Sequence, residues 1–185
     1  MNVIRHVPRA VVLATAFSFA VPTLGAQTPA AAATPLQGEL VRDINVLERK
    51  YVGLAEAVPA DKLTWRPAEG VRSIAEVLNH VAGATYFLAR VGSMHVPANA
   101  PPNEALGQME KVTDRARIVE ALKRSFADAR TIVTSTPAAD LDKPIKMFGQ
   151  DHTVRSAMLM MVTHMHEHLG QAIAYARANN VKPPW

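Results

Sequence analysis

From Leu36 onward, apolar residues recur every three or four positions, the repeat of an α-helix with one buried face. Leu40, Ile44, Leu47, Val52 and Leu54 mark a first helix over about 36–57. Glu39, Arg42, Asp43, Glu48 and Lys50 fall on its outer side, and Pro59 stops it. Residues 61–70 form a connection that ends in turn residues, with Trp65 expected to anchor it against the domain. Ser73-Ile74-Ala75-Glu76 has the form of a capping box, in which hydroxyl and carboxylate each take an otherwise unbonded amide, and it predicts a second helix running to about Val91. Ile74, Val77, Val81, Ala84, Leu88 and Val91 point inward there, and His80 sits at the edge of that face, above Ala84 and Phe87. Met94 to Gln108 holds Pro97, Pro101, Pro102 and Gly107, which predicts a long loop and a candidate rim for any site on the second helix. Ile118, Leu122, Phe126, Ala129 and Val133 mark a third helix over about 114–135, ended by Pro137. Residues 138–152 connect onward, with brief strand pairing expected within 143–154, and a fourth helix covers about 153–179. The fold class expected is all-α: a four-helix bundle with long connecting loops.

Upstream the pattern changes. Arg5 and Arg9 precede an apolar run from Val11 to Leu24, and Leu24-Gly25-Ala26 offers a cleavage site, so residues 1–26 are expected to be a secretory signal peptide. The run is short for a membrane span and Pro22 interrupts it. The expected location is periplasmic or secreted, with no stable membrane insertion after cleavage. Residues 27–35, rich in Ala, Thr and Pro, are expected to be a flexible leader to a single domain over 36–185. The full chain carries a net +4; without Arg5 and Arg9, 18 basic residues face 16 acidic ones. That near balance, with no basic run, argues against nucleic acid as a partner. The chain has no cysteine, which excludes disulfides, a thiolate ligand and a cysteine nucleophile, and leaves stability to the core.

The candidate chemistry lies in His164-Met165-His166-Glu167-His168-Leu169-Gly170-Gln171. On a helix turning about 100° per residue, His164 and His168 share one face with Gln171, Ala157 and Met160, while His166 points away toward solvent or a partner. Two imidazoles at i and i+4 can grip one metal ion, and a third ligand must come from elsewhere; His80 is the candidate. A three-histidine site on Zn²⁺, Ni²⁺ or a similar divalent ion keeps open positions, where a bound water or thiol loses its proton near neutral pH. Gln171 and Glu76 each lie about a turn from a ligand and are candidates to orient it. Glu167 flanks the stripe as a candidate general base, against the plainer reading of a surface carboxylate; helix capping is the plainer reading of Glu76.

Other readings are weaker. His164 to His168 spells H-x-x-E-H, an inverted zinc-protease motif, but that chemistry needs a later acidic ligand, and none of the 17 residues after His168 is Asp or Glu. Met158, Met160, Met161 and Met165 could mark copper handling, yet they spread around the helix as core residues do. A non-catalytic bundle, stress-related and with a structural or vestigial site, is the alternative to an enzyme.

Four stretches together resemble the DinB/YfiT-like superfamily of helical-bundle proteins: Leu63-Thr64-Trp65-Arg66-Pro67-Ala68-Glu69-Gly70, Ser73 through His80, His164 through Gln171, and the tail from Tyr175-Ala176-Arg177 to Pro183-Pro184-Trp185. The resemblance spans the chain from about Leu36 to the end. It implies an up-up-down-down-like bundle, often dimeric, with His80, His164 and His168 holding one divalent ion. It further implies transferase or isomerase chemistry with low-molecular-weight thiols as substrate or cofactor; with the open metal positions, the expectation is a metal-dependent hydrolase or transferase that activates water or a thiol-like nucleophile toward a small molecule. Leu169 stands where many relatives have Arg, so this chain lacks an anion contact from that position.

Overall fold

The helical repeat is realised as four long helices and one short one in a computed structural model, which describes residues 33–185. The expected signal segment 1–26 and most of the leader 27–35 lie outside the described residues. The helices are α1 (Pro35–Ala57), α2 (Ile74–Val91), α3 (Asn103–Glu110), α4 (Arg115–Ser135) and α5 (Val154–Ala178). A two-stranded antiparallel hairpin, β1 (Pro144–Met147) with β2 (Gln150–Thr153), precedes α5. No helix among the described residues is long and apolar enough to cross a membrane.

Local signals set the helix starts. Ser73 and Glu76 close the expected capping box on α2, with Ser73 N donating to the Glu76 carboxylate at 2.6 Å. Asp114 caps α4 by accepting from Arg117 N. The leader gives way sooner than expected, because Thr34 caps α1, Pro35 takes its first position and Gln37 completes a capping box. Gln37 also spans elements. It is buried, and its amide donates to the carbonyls of Val133 and Thr136 at the end of α4, at 2.6 and 2.8 Å.

α1 packs on α4 and α5, and α2 packs on α4, α5 and α3. Contact along three flanks explains why α2 buries residues nearly all round, including Asn79, Thr85 and Tyr86. The directions follow from named contacts. Ala75 N donates to Leu63 O and Arg115 donates to Val58 O, so α2 and α4 both start beside the end of α1. Gly92 at the end of α2 abuts Ala157 at the start of α5. The long helices therefore run up, down, down, up, which corrects the expected up-up-down-down order. The reason is the segment between α2 and α4, which returns the chain to the end where α2 began.

That segment also differs from the expected loop. The expected loop 94–108 contains most of α3, which follows directly on Pro101-Pro102 and carries Gly107 inside it. None of its residues is fully buried, so no apolar repeat betrayed it. It is held by tertiary contacts: Arg90 donates to Asn103 and to the Pro101 carbonyl, and Leu106 sits over Gly83. On α1, Tyr51 takes the inward place expected of Val52; its hydroxyl donates to the Met165 carbonyl of α5 at 2.7 Å. Val91 is likewise only half-buried. Trp65 is half-buried and meets Tyr175 edge-on, with ring centroids 5.6 Å apart. The hairpin turns through Phe148 and Gly149, both at positive φ (52° and 77°), a type I′ turn.

Gly92 sets how closely α2 and α5 approach. A Cβ there would stand 2.6 Å from the Ala157 Cβ and 2.8 Å from the Leu88 carbonyl. Gly92→Ala should therefore cost about 1–3 kcal/mol by overpacking, read from denaturant unfolding. Unchanged stability would mean that the crossing has slack.

Candidate metal centre

α2 and α5 bring His80, His164 and His168 together. Each offers a ring nitrogen, and the three atoms all lie within 4.8 Å of one another. The ring centroids are 4.4 to 5.2 Å apart. His80 Nε2 and His164 Nε2 stand 3.3 Å apart. Two imidazole nitrogens bound tetrahedrally to one ion at about 2.0–2.1 Å would stand about 3.4 Å apart, so the spacing fits a shared ion. All three side chains are half-buried.

Two rings are oriented from behind. His80 Nδ1 lies 2.7 Å from the Glu110 carboxylate. A carboxylate only accepts, so Nδ1 carries the proton and the Nε2 lone pair faces the cluster. Arg72 grips the same carboxylate at 2.9 Å. His168 Nδ1 lies 2.7 Å from Gln171 Oε1, whose amide donates to the Tyr175 hydroxyl at 2.9 Å. That leaves His168 Nε2 free as an acceptor too.

The charge states suit metal binding. Burial, then the neighbouring His168 and His80, lowers the His164 pKa to about 4. Burial lowers His80 as well, though the Glu110 hydrogen bond opposes it. Burial alone would raise Glu110, but hydrogen bonds from Arg72 and His80 outweigh it and hold the carboxyl below its ordinary value. Neutral imidazoles beside an ionised supporting carboxylate are the forms a divalent ion requires.

The other candidates separate. Gln171 is the partner of His168 Nδ1. Glu76 touches no histidine; it bonds Ser73 N and Arg66, and that capping bond is the main cause of its lowered pKa. Glu167 borders a cleft with His80 and His164. His166 faces outward and pairs with Asp43 of α1 at 2.7 Å. Met158, Met161 and Met165 are buried in the core, which favours packing over copper. The rim expectation holds in part: Asn103 and Leu106 of α3 line a cleft of about 270 Å³ with His80. Glu110, Arg72 and Tyr175 went unrecognised in the sequence, because their roles arise only when α3, the α1–α2 connection and the end of α5 converge.

A pH dependence follows. A neutral His164 contributes its full stability above about pH 6.5, and that contribution is lost as pH falls toward the folded-state value of about 4. Metal-free protein should thus melt progressively lower across that window, and His164→Ala should flatten the slope in chelator-treated thermal scans. An unchanged slope would show that the ring is freely hydrated.

The DinB superfamily model matches residues 45–172, which span His80, His164, His168 and Gln171. No curated protein matches the sequence. Among solved structures, a DinB-like protein from Bacillus cereus is 13% identical with a TM-score of 0.65, covering 80% of this chain and 95% of its own. YjoA, a DinB-like protein from Bacillus subtilis, is 20% identical with a TM-score of 0.61, covering 80% and 96%. YfiT from Bacillus subtilis, described as a probable metal-dependent hydrolase with an unusual four-helix bundle topology, is 14% identical with a TM-score of 0.63, covering 86% and 97%. With a family model matched over more than half its length and the same fold in these proteins, the chain belongs to the DinB superfamily.

Proposed function

We propose that this protein is an exported, metal-dependent enzyme, a hydrolase or transferase, that activates water or a small thiol-like nucleophile at His80, His164 and His168. The observation that carries the reading is the convergence of three imidazole nitrogens within 4.8 Å, two of them held in the ligating tautomer by Glu110 and Gln171. YfiT's description as a metal-dependent hydrolase supports the same reading. The four long helices are read as the four-helix bundle ascribed to that protein, and export rests on the residue pattern of segment 1–26. A homodimer is part of the proposal, as is Zn²⁺ or Ni²⁺ as the ion.

A bound divalent ion would supply a Lewis acid that lowers the pKa of a water or thiol beside it. The chain's own residues do the rest. Glu110 holds the proton on His80 Nδ1, and Arg72 keeps that carboxylate ionised. Gln171 fixes the His168 ring through Tyr175. Glu167, which borders the cleft that His80 and His164 line, is the proposed acceptor of a proton from an incoming nucleophile. The second reading, a structural or vestigial site without catalysis, makes a different forecast.

Replacing His80, His164 or His168 by Ala should each lower metal affinity by tenfold or more, about 1.4 kcal/mol or above. His166→Ala should leave affinity unchanged, since His166 is engaged with Asp43. Chelation should leave helicity intact, because the buried apolar core is continuous without the ion. Collapse of the circular dichroism signal on chelation would make the metal structural. A retained fold with no turnover of thiol or ester substrates would leave the vestigial reading.

A further inference from the structure

Two clefts of different character border the histidines and the side chains that support them. On one side, Arg66, Arg72, Glu110 and Gln171 border an open polar cleft of about 560 Å³. On the other, His80 and His164 line a mainly apolar cleft of about 340 Å³ with Ala84, Phe87, Phe148 and Met160, and Glu167 also borders it. Two large aromatic side chains stand in water at that second cleft: Phe87 is 37% exposed and Phe148 is 60% exposed. Their rings face each other loosely, with centroids 6.2 Å apart and planes inclined at 34°.

Neither turn chemistry nor core packing accounts for Phe148. It holds φ +52° at the first central position of the hairpin turn, where the backbone favours Asn, Asp or Gly and a bulky residue is disfavoured. Its exposure shows that it fills no space in the core. A residue held against local preference beside a reactive centre is a candidate for a role in that centre. Here the hairpin presents an aromatic ring over a cleft lined by two of the three histidines.

We propose that the substrate of the three-histidine centre carries an aromatic or bulky apolar group that lodges in the cleft between Phe87 and Phe148, leaving its reacting group beside His80 and His164. The inference rests on the proposed metal-dependent function and adds to it the class of substrate. Aromatic and aliphatic groups gain from leaving water against such rings. In the polar cleft Arg66 and Arg72 are paired with Glu76 and Glu110 and no aromatic side chain lines the wall, so the two clefts differ in what they offer the molecule and orient it.

The test uses full-length zinc-loaded protein and two hydroxamates with the same metal-binding head: acetohydroxamic acid, and phenylacetohydroxamic acid with its added ring. Isothermal titration should show the phenyl compound binding about tenfold or more tightly than the methyl compound. Phe148→Asn should shrink that ratio, and Phe148→Asn with Phe87→Ala should bring it close to one, while zinc affinity is kept. Because Asn-Gly suits a type I′ turn, Phe148→Asn should melt no lower than the wild type, so lost discrimination is not lost folding. Equal affinity for the two compounds in the wild type would overturn the inference alone, as would discrimination that survives in the double variant. Conversion of a dimer to a monomer by Phe148→Asn, with the ratio unchanged, would overturn it in favour of a protein interface. Failure to bind zinc at all would overturn the proposed function and this inference together.

Discussion

Placing three imidazoles within reach of one ion requires two helices to cross closely and stay in register, and much of the structure serves that crossing. α2 and α5 run antiparallel, with Gly92 admitting the side chain of Ala157 where any larger residue would separate them. The buried Tyr51 of α1 donates its hydroxyl to the Met165 carbonyl, one residue from His164, and so fixes the depth of that turn. Burial also holds its phenol far above the ordinary pKa, so the proton it donates is retained.

Behind the rings, polar side chains connect the site to elements that carry no ligand. His80 leads through Glu110 to Arg72, joining α2, α3 and the α1–α2 connection. His168 leads through Gln171 to Tyr175, whose ring meets Trp65. Trp65 therefore does more than close a loop: it braces the far end of the chain of contacts that aims His168. Its neighbouring backbone shares the load, since Ile74 N donates to the Trp65 carbonyl and ties the start of α2 to the same connection. Such outer partners set tautomer and ring orientation, and metal affinity responds to them nearly as it does to the ligands.

What was legible in the sequence shares one property: it is local or periodic. The i, i+4 spacing of His164 and His168, the Ser73–Glu76 box and the inward stripes of α2 and α4 all follow from a single helix considered alone. His80 could be proposed as their partner because only one histidine sits on the apolar edge of another long helix. What was hidden depends on contacts between elements. Glu110 lies just past the stretch 94–108 that prolines and a glycine mark as loop, and α3 forms there because Arg90, Gly83 and His80 offer it contacts. The order of helix directions was hidden for the same reason, since nothing local states where a connection returns. Tyr51, unlike Val52, continues the spacing of Leu40, Ile44, Leu47 and Leu54, so its inward place belongs to the helical repeat, and the Met165 carbonyl satisfies its buried hydroxyl.

The proposed chemistry requires one ion among His80, His164 and His168. The most direct measurement is a crystal structure of zinc-loaded protein with anomalous diffraction at the zinc edge. A single strong peak is expected about 2.0–2.1 Å from one nitrogen of each of the three rings, with Glu110 and Gln171 still bonded to His80 and His168. A peak elsewhere, or no peak among these rings at saturating zinc, would contradict it.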